Sequence, residues 1–324
     1  MIKLKKLTAM ALSTVMAFGL LAGCGDSAAS SAPAETAAAT EAPAAETAAA
    51  ETAAPAAAGS AAETETTAAA DPASYGSDVQ AIIDRGVLKV GVKSDVLGFG
   101  YMDPLTSEYE GMEIDLAKKL ADFLGVDVEF TTVTAATRTE LLDSGDIDCV
   151  MATFTITDER KQSWDFTTPY YTDHVSVLVK DASNIKTLED LKDKTVGVSS
   201  GSTSAKSLVK AMIENSVITG DGFNEESFDP ATWTEGVSFK QYDDYPSIST
   251  ALEADEVDAF CVDKSILAVY KTAGRSYIDA EFSPQEYGIA TTKGSGFSKL
   301  CEDEVSTWLS DGTIDGLIAQ YNLG

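Results

Sequence analysis

Val90-Gly91-Val92 and Val196-Gly197-Val198 are two apolar runs of the same form, and downstream of each comes a second matching unit. Leu142-Asp143-Ser144-Gly145-Asp146-Ile147-Asp148-Cys149 parallels Leu252-Glu253-Ala254-Asp255-Glu256-Val257-Asp258-Ala259. Both units read as a helix end, a short turn and a buried strand. Within the first repeat, residues 111–124 carry apolar side chains at 112, 116, 120, 123 and 124, a helical period, and residues 204–213 supply a shorter counterpart in the second. Strand–helix–strand order met twice predicts two α/β lobes with mainly parallel sheets. The strands are expected to start at Gly91, Ile147, Gly197 and Val257.

Open α/β sheets bind ligands beyond the carboxyl ends of their strands. The residues to inspect are therefore Lys93-Ser94-Asp95, 153–160, 199–204 and Asp263. A cation, Arg160, follows the late strand of one lobe, and an anion, Asp263, follows that of the other. Facing each other across a cleft, they would clamp a zwitterion.

The start of the 324-residue chain reads differently. Lys3, Lys5 and Lys6 precede an apolar run at 7–21, the pattern of a secretory signal peptide at 1–23. The run falls short of the roughly 20 apolar residues that a bilayer core requires. It closes on Leu21-Ala22-Gly23-Cys24, which resembles a bacterial lipobox; that resemblance implies cleavage before Cys24 and lipidation of its sulfur. Ordinary signal cleavage beside an incidental cysteine is the alternative. Two acyl chains suffice for stable anchoring to the outer face of the cytoplasmic membrane. Residues 24–75 are rich in Ala, Glu, Thr and Pro, with too little apolar surface to offset ordering entropy, and read as a tether.

The net charge of −29 argues against nucleic acid or an anionic membrane surface as partner. Cysteines 149, 261 and 301 are an odd number in an exported chain, and those at 149 and 261 lie in strand-like runs, so buried free thiols are expected. His174 is the only histidine, which leaves no histidine-based metal site and no Ser-His-Asp triad with neighbours in view. Neither a metal nor a cofactor is expected.

Several ordered motifs resemble the polar amino-acid-binding proteins of ABC importers, solute-binding protein family 3. They are Gly91-Val92-Lys93-Ser94-Asp95 with Phe99-Gly100-Tyr101, Gly111-Met112-Glu113-Ile114-Asp115-Leu116-Ala117, and Arg138 with Leu142 and Gly145-Asp146-Ile147-Asp148. Residues 152–160, Asp165-Phe166-Thr167-Thr168-Pro169-Tyr170-Tyr171, 188–198, and Val257-Asp258-Ala259 with Asp263 complete the set. The resemblance spans residues 78–324. It implies an α/β, two-lobed periplasmic-binding-protein-like fold of type II, with a central cleft and two crossover strands. Lobe 1 is then expected at 76–176 plus 285–324, and lobe 2 at 177–284.

By the same resemblance, Arg160 grips a ligand α-carboxylate, as a guanidinium matches a carboxylate bidentately. From the residues alone it would read as a surface arginine paired with Asp158 or Glu159. Thr153 and Thr155 resemble hydroxyl and backbone contacts to the same ligand, although Thr155 and Asp158 also read as a helix capping box. Phe154 reads as packing. Asp263 resembles the α-amino partner, with an N-cap role as the alternative. Ser202 and Thr203 resemble a carboxylate-binding turn, against a generic Gly/Ser loop. Lys93 and Arg138 stand where relatives that take acidic amino acids place cations, so an aspartate or glutamate ligand is slightly favoured over glutamine or cystine-like ones. Tyr245 is a candidate pocket wall. Val96 and Ala135 are small where many members carry aromatic walls, and 214–235 reads as an acidic inserted loop of unknown role.

The implied protein is a monomeric, lipid-anchored receptor that closes on a polar amino acid and delivers it to the transmembrane subunits of an ABC permease. The competing classes are an enzyme on the same scaffold, such as a cyclohexadienyl-type dehydratase, and a sensor or adhesin ectodomain.

Overall fold

The computed structural model describes residues 71–324. The signal-peptide and lipidation assignments, Cys24 included, and nearly all of the tether lie outside the described residues. The folded part starts on a 3-10 turn at Pro72–Tyr75, whose Tyr75 hydroxyl donates to Asp303 at 2.9 Å.

Each half builds a sheet around a parallel trio in the same arrangement. In lobe 1, Val87–Val92 lies between Asp127–Thr132 and Cys149–Met151. In lobe 2, Lys194–Ser199 lies between Val237–Tyr242 and Ala259–Asp263. Only these trios are parallel. Lobe 1 continues antiparallel through Ala290–Thr292 to Trp164–Phe166, and lobe 2 through Tyr171–Lys180 to Arg275–Tyr277. The expectation of mainly parallel sheets is thus corrected beyond each trio: Ala290–Thr292 and Tyr171–Lys180, which arrive from the other lobe, enter each sheet in the opposite direction, and a further antiparallel strand pairs with each.

The sequence echo has a physical cause. Asp148 Oδ2 accepts the Lys89 N–H at 2.8 Å, and Asp258 Oδ2 accepts the Thr195 N–H at the same distance. Each aspartate pins the entry of its strand to the first strand of its lobe, so the ladders start at Cys149 and Ala259, one residue after the aspartate and two after the expected starts. The Val-Gly-Val runs are explained likewise. A Cβ on Gly91 would stand 2.6 Å from Ile147 Cδ1, and one on Gly197 2.6 Å from Ile248 Cγ2.

Helix Met112–Leu124 buries Met112, Ile114, Leu116, Ala117, Leu120, Ala121 and Leu124 beneath the first sheet and ends on Gly125 in the left-handed conformation. Its counterpart, Ser204–Glu214, buries Ala205, Leu208, Val209, Ala211 and Met212 in lobe 2. Two strands pass between the lobes side by side: Phe282–Tyr287 pairs antiparallel with Tyr171–Lys180, opposing Tyr287 to Tyr171. The rings of Phe99, Tyr171 and Tyr287 pack there with centroids 5.0–5.8 Å apart.

The inserted loop is irregular but packed. Phe223, Phe228, Trp233 and Phe239 form an aromatic cluster, and the Glu235 carboxylate accepts the N–H groups of Thr219 and Gly220. Cys149, Cys261 and Cys301 are buried free thiols, as expected from their apolar surroundings. Among the described residues, no helix is long and apolar enough to cross a membrane.

Candidate functional site

The turn after Cys149–Met151 forms the first wall of the cleft. Thr153 takes a left-handed φ of 43°, a costly conformation for a β-branched residue that neighbouring structure must hold. Phe154 is buried against Trp164 and Phe166, which confirms its packing role. It also serves as a platform: the Arg138 guanidinium carbon lies 3.8 Å from its ring centroid and that of Arg160 4.6 Å. The capping box expected at Thr155 and Asp158 is not formed. Only a 3-10 turn follows, at Arg160–Gln162, where Thr157 Oγ1 accepts the Arg160 N–H at 3.1 Å.

Arg160 bridges the two walls. Its Nη1 donates to the Thr155 carbonyl at 2.7 Å and its Nη2 to the Gly201 carbonyl in lobe 2 at 3.1 Å. Gly201 permits this approach: its φ is +74°, and a Cβ there would fall 2.7 Å from the Ala135 carbonyl oxygen. Lys206 and Glu159 add an ion pair between the lobes at 2.9 Å. Arg160 therefore does not pair with Asp158 or Glu159. Burial first and neighbouring Arg138 second lower it to about 9, so it stays cationic at neutral pH.

Asp263 ends the strand Ala259–Asp263 and is 5 % exposed. Although it occupies the N-cap position of helix Lys264–Tyr270, it makes no capping bond; Asp173 Oδ2 takes the Ser265 N–H at 3.1 Å instead. Asp263 Oδ2 accepts the Tyr287 hydroxyl at 2.5 Å. Burial, reinforced by the Asp173 charge, raises its carboxyl to about 7 against the opposing pull of Arg138 and Arg160. A cationic group brought beside it would restore the carboxylate.

The remaining expected residues converge on the same place. Lys93, 2 % exposed, lies 3.2 Å from Asp95 Oδ1 and 4.6 Å from the centroid of Tyr245, a buried lobe 2 ring at the start of helix Tyr245–Glu253. Burial lowers the Lys93 pKa and raises that of Tyr245. Arg138, also lowered by burial, to about 10, donates from Nη1 to the carbonyls of Ala152 and Thr153 at 2.8 and 3.3 Å. Thr155 and Thr203 donate their hydroxyls, at 2.9 and 2.7 Å, to one acceptor, Oε1 of Gln285. Five polar atoms here are buried without a hydrogen-bond partner among the described residues: Thr153 Oγ1, Ser202 Oγ, Arg138 Nε, Glu113 Oε2 and Asp95 Oδ1, the last facing Lys93 only as an ion pair. Orphaned buried polar atoms are rare enough that such a cluster marks a place where a polar ligand or ordered water completes the bonding.

Sequence reasoning missed Gln285, Tyr287, Asp173 and Glu113. Gln285, on a strand that also contains Pro284, carries no sequence signal, since its role depends on hydroxyls distant in the chain. Glu113 did carry one: it is a carboxylate flanked by Met112 and Ile114 on a helix whose inward face is otherwise apolar. Among the described residues, no group of His, Cys, Asp and Glu side chains could hold a metal ion.

The polar cleft between two echoing lobes belongs to a chain with clear likenesses among known proteins. The chain is 33% identical over 259 residues to a glutamine-binding protein of an ABC transporter from Bacillus subtilis, covering 78% of this chain and 87% of that one. It is 31% identical over 245 residues to a glutamate-binding protein from Corynebacterium efficiens, with 70% and 76% covered. Among solved structures, an ancestral amino acid-binding protein described as a precursor of cyclohexadienyl dehydratase superposes with a TM-score of 0.62 at 30% identity, over 76% of this chain and all but 1% of the other. These relatives are binding proteins rather than enzymes. The profile of the bacterial extracellular solute-binding proteins, family 3, matches residues 88–323, and the chain belongs to that family.

Proposed function

We propose that this protein is the receptor of an amino-acid ABC importer, a monomer anchored through lipidated Cys24, which closes its lobes on one polar amino acid and presents it to the permease. The observation that carries the reading is the placement of Arg160 and Asp263, one from each lobe, in a single desolvated cleft. A zwitterion needs both charges matched, and neither lobe alone supplies both. The α-carboxylate is assigned to Arg160 with the free hydroxyls of Thr153 and Ser202, and the α-ammonium to Asp263. Thr155 and Thr203 line the same turns and contribute through the backbone. Ligand contacts drawn from both lobes favour the closed state, and that difference is what a permease reads.

For the ligand side chain, Lys93 and Arg138 favour an acidic group, with Tyr245 as a wall. A glutamine reading has its own support: Lys93 already faces Asp95, and Arg138 already serves two backbone carbonyls. A thermal-shift screen of the twenty amino acids separates the two. Stabilisation by glutamate or aspartate is the expected result; a shift with glutamine alone rejects the acidic preference, and no shift with any amino acid rejects the receptor itself. For the anchor, Cys24→Ser should move the protein from the membrane fraction to the soluble one. Retention of the variant in the membrane would remove the lipid from the account.

A further inference from the structure

Glu113 is fully buried at the start of helix Met112–Leu124, and no part of the clamp described above uses it. Its Oε1 accepts two hydrogen bonds: from the Thr153 backbone N–H at 2.7 Å and from the Tyr170 hydroxyl at 2.5 Å. The first partner is the strained residue of the cleft wall, with its φ of 43°. The second is the residue immediately before the crossover strand Tyr171–Lys180. One carboxylate oxygen thus ties the turn that carries Thr153, Phe154 and Thr155 to the foot of the hinge. The charged groups facing it are Arg138 and Lys93, both at the cleft.

From this geometry we infer that Glu113 is a positioning residue for amino-acid binding: its carboxylate holds the Thr153 backbone turned, so that the Thr153 hydroxyl and the Phe154 platform beneath Arg160 are set before the ligand arrives. A left-handed threonine persists only while its surroundings hold it; Glu113 holds its N–H, and relaxation would turn the Thr153 carbonyl away from Arg138 and the Thr155 carbonyl away from Arg160. The capture needs an acceptor of defined reach rather than a negative charge. Glutamine keeps that acceptor; aspartate keeps the charge but withdraws the acceptor by one methylene.

The inference rests on the amino-acid-receptor reading, and the test separates the two. With L-glutamate and L-glutamine as calorimetric probes on the full mature chain, Glu113→Gln should bind within about threefold of the native protein. Glu113→Asp should bind about tenfold or more weakly, the equivalent of leaving one buried donor unpaired. Native-like binding by the aspartate variant overturns the proposal. Equal weakening in both variants also overturns it, by making Glu113 a counter-charge for Lys93 and Arg138. Exchange of the Thr153 amide in ligand-free protein reads the hold directly: protection is expected in the native and glutamine forms and loss in the aspartate form. If the native chain binds neither probe, both the acidic and the glutamine readings of the ligand fail, while the amide still decides for or against Glu113.

Discussion

Replacing Arg160 by alanine removes three things at once, and their sizes can be separated. The side chain supplies two hydrogen bonds to backbone carbonyls, one to Thr155 in its own lobe and one to Gly201 across the cleft. It also lies over the Phe154 ring, 4.6 Å from the centroid. Its remaining N–H groups are those assigned to the ligand carboxylate. Hydrogen bonds to charged groups contribute about 1.5–3 kcal/mol each, so loss of a bidentate grip costs about 3–6 kcal/mol of binding. At about 1.4 kcal/mol per factor of ten, affinity should fall at least a hundredfold. Folding should suffer far less. Arg160 is half-buried, and Arg138 still covers Phe154, so a loss near 1 kcal/mol would move the unfolding midpoint by about 2–4 °C. Calorimetric titration with the amino acid found by thermal shift, beside a melting curve of the same preparation, measures both numbers. A variant that melts normally and binds within about threefold of the native protein would refute the clamp. Arg160→Lys should recover little, because a point charge cannot serve Thr155, Gly201 and a carboxylate together.

Gln285→Leu deprives two hydroxyls from opposite lobes of their shared acceptor. It should open the ligand-free protein, seen as a larger radius in solution scattering, and weaken every amino acid that binds by one common factor of about ten; a change in ligand ranking instead would make Gln285 a specificity contact. The raised carboxyls of Asp263 and Glu113, both at about 7, give a signed pH dependence. Their unfolded values lie near 4, so the stability they contribute is complete below about pH 4 and is lost as pH rises through 7. The ligand-free melting temperature should therefore fall between pH 5 and 8, less so in Asp263→Asn and Glu113→Gln; identical slopes in all three proteins would refute it. Since an α-ammonium beside Asp263 favours its carboxylate, binding near pH 6.5 should also release protons, measurable by titration in buffers of different ionisation enthalpy. Finally, burial raises the pKa of Cys149, Cys261 and Cys301, so these thiols should resist a colorimetric thiol reagent until the protein is denatured; rapid labelling of the native fold would contradict their packing.

The fold was legible because its evidence is local and repeated. Val-Gly-Val marks a strand that another side chain crosses closely, and the aspartate of each later unit pins the next strand by a bond that recurs in both lobes. The antiparallel outer strands were not legible, since entry from the opposite lobe leaves no periodicity of its own. In the site, the positions past the strand ends were readable, and Lys93, Thr153, Arg160, Ser202 and Asp263 do gather at one cleft. The capping box read at Thr155 and the N-cap alternative at Asp263 are not formed, since partners distant in the chain outcompete the nearest backbone. Glu113 was visible as a misplaced carboxylate on an apolar helix face, but its reach to Thr153 and Tyr170 was not.

The threonines of the cleft show why ligand grip and lobe closure cannot be told apart by motif. A carboxylate only accepts hydrogen bonds, so a hydroxyl serves it only with an uncommitted proton. Thr155 and Thr203 have committed theirs to Gln285, which lies 130 and 82 positions away along the chain. Thr153 and Ser202, next to them on the same turns, have no such partner among the described residues. Under the proposed clamp, each turn presents one side chain to the opposite lobe, through Gln285, and one to the ligand. A ligand that settles Thr153 and Ser202 necessarily settles the backbone of Thr155 and Thr203 as well. On that proposal, occupancy of the cleft is transmitted to closure by adjacency in sequence, and its strength depends on a glutamine that no local pattern would have marked.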